Sequence, residues 1–202
     1  MIHTDERFSE AVEEAVGRIE ERTHAEVVVV AAKESGHYRD VRAIGASLVT
    51  FALLVVLLYI PMLVTPLTLL VECLAAWVLT YWILGWPAMT RLVTSDARMA
   101  RQVREAAAAE FHEETVHGTP DRTGLLVYVS ALEGRVVLLP DAGIEGRVPP
   151  GTWKAAQRDF VHDDLDHFLH GLQEIGEVLA AHVPPDEAKR VIDLPNAPRV
   201  RP

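Results

Sequence analysis

The chain has 202 residues, half of them hydrophobic, a formal net charge of -10 and a single cysteine. An acidic chain with no run of clustered Lys and Arg excludes nucleic acid as a partner, because phosphates demand such clusters. The lone Cys73 excludes a disulfide framework and a Cys-ligated zinc site.

Apolar residues crowd into one block. Between Ala43 and Trp86 only Glu72 is charged, while the flanking arms carry nearly every acid and base. This split is that of a membrane segment set between soluble parts, not of one globular core. The opening residues Met1 to Arg7 have no apolar core or small-residue cleavage site, so a secretory signal is not expected and the first membrane helix would do the targeting.

In chain order, Phe8, Val12, Val16 and Ile19 form an apolar stripe at helical spacing over Asp5–Arg22, with a Thr4/Asp5 cap. Glu26–Ala32 is a β-branched run of the kind found in strands buried on both faces. Residues 43–60 and 67–86 follow, each close to the roughly 20 helical residues needed to cross a hydrocarbon core. The prolines at 61 and 66 break the two apart, and Tyr59, Trp82 and Trp86 sit near the span ends as interfacial anchors. Arg39, Arg42 and Arg91 flank the hairpin and its connection holds no basic residue, which places both arms on the cytoplasmic side of a bacterial inner membrane. Glu72 lies a turn and a half beyond Pro66, near the headgroups at the turn end or paired within a bundle.

Beyond the hairpin, Met99, Val103, Ala107 and Phe111 mark a helix over Ser95–Glu114, broken by Gly118–Gly124. Leu125–Ser130 and Arg135–Leu139 read as two strands joined at Ala131–Gly134. Pro149–Gly151 starts a helix to Phe160, Asp163 and Asp164 cap another through Leu179, and Pro184 ends it. The tail from Asp186 to Pro202 reads as extended or disordered. The fold class is α/β, a small mixed sheet covered by helices and interrupted by the transmembrane hairpin. Residues 1–42 and 89–185 form the two parts of one domain, 43–88 the insertion and 186–202 the tail. The strand before the hairpin would pair with strands after it, since an even number of spans returns the chain to the side it left.

The arms resemble the TPM-domain family. The resemblance rests on Thr23-His-Ala-Glu-Val-Val-Val-Val30, Arg122-Thr-Gly-Leu-Leu-Val-Tyr-Val-Ser130, Arg135-Val-Val-Leu-Leu-Pro-Asp-Ala-Gly-Ile144 and the closing helix Gly171–Gly176. The match is nearest to small bacterial membrane variants in which a hairpin interrupts the domain. It implies an α/β/α sandwich, divalent-metal binding at acidic loops in some members, and acid phosphatase activity in a few. Where better-known members have a glycine-rich segment after a strand, this chain has Leu139-Pro-Asp-Ala-Gly143.

The candidate chemistry lies in carboxylates and imidazoles. Asp141 follows a strand and Asp121 leads into its neighbour, where either could hold a hard cation with its waters. Asp163, Asp166, His167 and His170 fall at i, i+3, i+4 and i+7 on one face of the last helix. Carboxylates alone suit calcium or magnesium, and imidazole beside them brings in zinc or manganese as the less favoured choices. His112 and His117 do not make a zinc-protease helix: five apart on a helix, they point about 140° away from each other. Arg122, Arg135 and Arg147 are phosphate-clamp candidates with no common pocket in view. The soluble arms hold no cysteine nucleophile, no phosphate-cradling Gly-Lys-Ser loop and no Gly-x-Ser-x-Gly elbow. The leading expectation is a membrane-anchored, non-enzymatic module that binds a membrane-protein partner, and with it a divalent cation, in membrane or envelope maintenance. The alternative is a weak metal-dependent acid phosphatase.

Overall fold

The computed structural model describes residues 6–59, 65–119, 121–149, 151–160, 164–185 and 196–201. The protein is mixed α/β and mostly helical. Among the described residues there are eight α-helices and one four-stranded mixed sheet. The chain divides into two compact units, residues 1–35 with 100–202, and residues 36–99.

The first unit holds the sheet. Helix α1 (Glu6–Glu20) leads to strand β1 (Glu26–Ala32), and β2 (Gly124–Ser130) and β3 (Arg135–Pro140) follow far along the chain. β1 and β2 lie parallel with Glu26 opposite Gly124 and Ala32 opposite Ser130, and β3 returns antiparallel to β2. The turn between β2 and β3 closes through Gly134 at φ 61°, a left-handed conformation that glycine adopts without steric cost.

Alternate residues of the strands feed two cores, which is why β1 is apolar from Val27 to Ala32. Val27, Val29, Leu125, Val127 and Leu138 face α1 and helix α8 (Leu165–His182), where Phe8, Val12, Val16, Phe168, Leu172 and Ile175 are buried. The Phe168 ring lies 5.5 Å from Phe8, tilted by 46°, and 5.3 Å, edge to face, from Phe160. Val28, Val30, Leu126, Tyr128 and Val137 face Val103 and Ala107 of helix α5 (Asp96–Glu113), with Val116 closing that side. Each fully buried Val, Leu or Phe contributes about 1.5–3 kcal/mol. Two glycines let α8 come close: a Cβ on Gly176 would lie 2.8 Å from Ile19, and one on Gly171 would lie 2.8 Å from the Phe160 ring.

The described end of the tail is extended. Arg199–Arg201 is a fourth strand, β4, parallel to β1 with Val30 opposite Arg199, so the sheet order is β3-β2-β1-β4. Its stability comes from charge rather than apolar pattern. Arg201 bonds both Glu110 oxygens at 2.9 Å and Glu114 at 2.7 Å, and Arg199 bonds Glu114 at 2.7 Å. The Thr4/Asp5 cap and residues 186–195 of the tail fall outside the described residues.

In the second unit, α2 (Arg39–Tyr59) and α3 (Pro66–Ile83) pack against each other, and both are long and apolar enough to cross a membrane by length and composition. Trp77 donates its indole N–H to Ser47 Oγ at 3.2 Å between them, and Thr65 caps α3 by accepting from the Thr68 amide. Helix α2 starts four residues before the predicted Ala43, at Arg39. Helix α3 stops at Ile83 rather than Trp86, because Trp86 is extended ahead of Pro87, which opens helix α4 (Pro87–Val93). Arg98 pairs with Asp40 at 2.8 Å and lies over the Tyr38 ring at 5.9 Å.

Candidate functional site: the loop edge of the sheet

Two of the predicted carboxylates meet at one edge of the sheet. Asp121 precedes β2, and Asp141 follows β3. Because β3 runs antiparallel to β2, the end of one coincides with the start of the other, and the Asp141 amide donates to the Gly124 carbonyl at 2.8 Å. This is the N-terminal edge of the parallel pair β1 and β2, not the C-terminal edge where open α/β sheets usually take their ligands. Asp141 follows directly on β3, as its sequence position implies.

The connection is tightly folded. Arg122 adopts φ 58°, uncommon for a residue with a side chain, and its amide donates to Thr119 O at 3.0 Å. Gly143 donates to the Arg122 carbonyl at 2.9 Å. A Cβ on Gly143 would lie 2.2 Å from the Asp121 carbonyl oxygen, so this approach is open only to glycine. The strained loop directs the Arg122 side chain back onto Asp141, with Nε to Oδ2 and Nη2 to Oδ1 both at 2.7 Å. Asp141 is buried, caps the short helix α6 (Ala142–Glu145) and accepts from the Ala142 amide at 2.7 Å. The Arg122 hydrogen bonds hold its carboxyl below the usual carboxylate range, helped by the Ala142 amide and by the charge of His117; burial works against them. The same pair raises the Arg122 guanidinium.

Beside this pair, His24 Nε2 lies 3.0 Å from Asp121 Oδ2. His24 just precedes β1 and Asp121 just precedes β2, so the parallel register itself brings them together. His112 and His117 also meet, with ring centroids 5.2 Å apart. The 140° separation expected for them does not apply, because α5 ends at Glu113 and the chain turns through Thr115 at φ 52° into a 3-10 turn at Val116–Gly118.

The helical stripe is divided. Asp163 lies outside the described residues. Asp164 is the N-cap of α8, accepting from the His167 amide at 2.9 Å, and its carboxylate lies 3.1 Å from His167 Nδ1. Asp166 and His170 instead line a groove of about 650 Å³ between α1 and α8, together with Arg18 and Arg22. His170 comes no nearer than 4.0 Å to Glu174.

Among the described residues no three His, Cys, Asp or Glu side chains gather as a metal-holding group. The donors at the loop edge do not fit a divalent cation as arranged. Both Asp141 oxygens serve Arg122 and Ala142, and Asp121 is engaged with His24. The edge can instead hold a histidine in a fixed orientation and present the remaining Arg122 nitrogen outward, since 57% of that side chain is exposed.

The opposite edge of the parallel pair carries polar groups that the sequence did not single out. Ser35 Oγ lies 2.9 Å from the Tyr128 hydroxyl and donates to Ser130 Oγ at 2.7 Å, and Ser130 donates to the Glu133 carboxylate. Glu133 also accepts from the Ser35 amide at 3.1 Å. Burial pushes the Tyr128 phenol up. These groups satisfy one another and lock the chain leaving β1 to the turn leaving β2.

No protein-family profile matches the chain, and no curated protein matches it either. Among solved structures the chain is similar to the NMR structure of the BA42 protein from the psychrophilic bacterium Bizionia argentinensis. The identity is 17% and the TM-score 0.55, over 97% of this chain and 94% of that one. The likeness is one of fold.

Proposed function

We propose that this protein is a membrane-anchored α/β module that binds a membrane-protein partner in membrane or envelope maintenance, rather than an enzyme. The observation that carries the reading is the surface of α2 and α3. Leu48 and Phe51 are 65% exposed, Leu70 67% and Trp82 73%, on helices that pack on each other. A core helix of a soluble protein buries such residues, and an apolar surface of this extent marks a membrane or an interface. Sodium carbonate extraction of membranes from expressing cells tests the anchor: the chain stays in the pellet, and its release into the supernatant would overturn the reading.

The binding role is supported by an edge whose carboxylates are held by Arg122 and His24 while the Arg122 side chain stays partly exposed to a partner. Affinity capture from detergent-solubilised bacterial membranes should recover a membrane protein; recovery of none would count against it. We place both arms on the cytoplasmic side from the flanking arginines. With Cys73→Ser as background, Gly118→Cys should resist a membrane-impermeant thiol reagent in intact cells. We also read the helices on both sides of the sheet as the α/β/α sandwich that the TPM resemblance implies, with the hairpin as an insertion in that domain.

A second reading, a weak acid phosphatase, is favoured by one observation, the gathering of His24, Asp121, Arg122 and Asp141 at one edge. Calcium or magnesium would have to displace Arg122 from Asp141 to bind there. Hydrolysis of p-nitrophenyl phosphate that depends on added metal and is lost in Asp141→Asn would establish it, and activity unchanged in that variant would remove Asp141 from any such role.

A further inference from the structure

The open end of the helical hairpin gathers positive charge from both of its helices. Residues 36–99 contain four arginines, Arg39, Arg42, Arg91 and Arg98, and every one precedes α2 or follows α3 or stands in the first turn of α2. Arg98 is neutralised by Asp40. Arg39 and Arg42 are three apart on α2 and so share one helix face. Arg42 is the anomaly among them. Its Nε is buried with no hydrogen-bond partner, a costly state for a guanidinium unless an acceptor is supplied.

Arg42 has no acceptor for this atom. Its Nη1 lies beside Gly85, where a Cβ would come to 3.6 Å from it, 3.0 Å from Trp82 O and 3.7 Å from Tyr81 O. The negative end of the α3 dipole is therefore close, but the Trp82 carbonyl already accepts from the Gly85 amide at 3.0 Å and Ile83 from Trp86 at 3.1 Å. Trp82 and Trp86, both largely exposed, flank the same end, at the level where amphipathic rings meet headgroups.

We propose that the foot of the hairpin is a binding site for an anionic phospholipid headgroup, whose phosphate is taken by Arg42 with Arg39 as its neighbour on the same face. A guanidinium matches phosphate oxygens in a bidentate way, and Arg39, one turn away on the same face, adds a second positive charge. This inference rests on the membrane-anchor reading given above.

The full chain, purified in non-ionic detergent, is offered phosphatidylglycerol and phosphatidylcholine of identical acyl chains, and retained lipid is read by native mass spectrometry. Phosphatidylglycerol should be preferred by about fivefold. Arg42→Gln should abolish the preference, Arg42→Lys should keep most of it, and Arg104→Gln, on the exposed side of α5, should leave it intact. Equal retention of the two lipids by the unaltered chain, or an undiminished preference in Arg42→Gln, overturns the site. Displacement of phosphatidylglycerol by inorganic phosphate at low millimolar concentration also overturns it, because the site would then be one for free anions. Carbonate extraction separates the two claims: a chain released from the membrane fails as an anchored protein, whereas a chain that stays in the pellet without lipid preference fails only here.

Discussion

Arg122 and Asp141 divide one task between backbone and charge. The left-handed turn at Arg122 and the bare Gly143 beside it bring the loop before β2 onto the end of β3, and the ion pair then fixes that approach. Gly143→Ala should therefore destabilise the fold by about 2 kcal/mol or more, since backbone rather than a flexible side chain blocks the new methyl; a urea melt followed by circular dichroism measures this. Asp141 adds a pH dependence whose sign follows from its cause. Its carboxyl titrates lower when folded than when unfolded, where the value is near 4. The stabilisation it contributes is thus complete above about pH 4 and is lost as pH falls through the lower folded value. Melting temperatures of the wild type and Asp141→Asn should differ most above pH 5 and converge toward pH 2; a constant difference across that range would remove the ion pair as its cause.

At the scale of elements, β4 is held by its ion pairs as much as by its ladder. Only three residues pair with β1, and Val200 between the two arginines is 45% exposed, so little apolar burial supports the strand. Arg201→Ala removes three hydrogen bonds to Glu110 and Glu114, a loss on the order of 1 kcal/mol for a partly exposed network. The expected sign is selective: the Lys33 amide, which donates to the Arg201 carbonyl, should exchange faster with deuterium while amides of β2 keep their protection. β4 also marks what the sequence leaves illegible. Strands β1, β2 and β3 show in their β-branched runs, and Gly134 shows as a turn, because burial on both faces of a sheet imprints itself on every position. A strand of Arg-Val-Arg carries no such imprint, since its partners Glu110 and Glu114 lie some ninety residues earlier, in the last turn of α5 and just beyond it. The candidate site is legible to the same degree. Asp121 and Asp141 stand out as loop acids beside strands, but their partners His24 and Arg122 emerge only from the pairing register and from a left-handed turn. Conversely, the regular spacing of Asp163, Asp166, His167 and His170 suggested one ligand face, yet capping by Asp164 draws His167 aside and leaves Asp166 and His170 to line the α1–α8 groove.

For the whole molecule the decisive question is what the hairpin contributes to the α/β unit. β1 and β2 are parallel neighbours, so the chain must return from the end of one to the start of the other, a step that no tight turn can make. A strand of 7 residues such as β2 covers roughly 23 Å at about 3.3 Å per residue. Helix α5, with 18 residues at about 1.5 Å each, spans roughly 27 Å and buries Val103 and Ala107 against the sheet on the way. A helix of that length is by itself a sufficient crossover, and a β-α-β unit needs nothing more. The two apolar helices are then extra to the topology: they enter between Ser35 and Asp96, and Ala46 is the one fully buried residue among the described residues of the two. Replacing residues 36–95 with about ten Gly/Ser residues, which reach about 33 Å when extended, should give a chain that is soluble without detergent, shows both helix and sheet by circular dichroism, and melts cooperatively. A chain that aggregates or melts without cooperativity would mean that the hairpin is part of what holds the sheet together, and would overturn its reading as an insertion. The deuterium exchange of the β1 and β2 amides sharpens the comparison, because protection equal to that of the full chain requires the crossover through α5 to have formed without the two apolar helices.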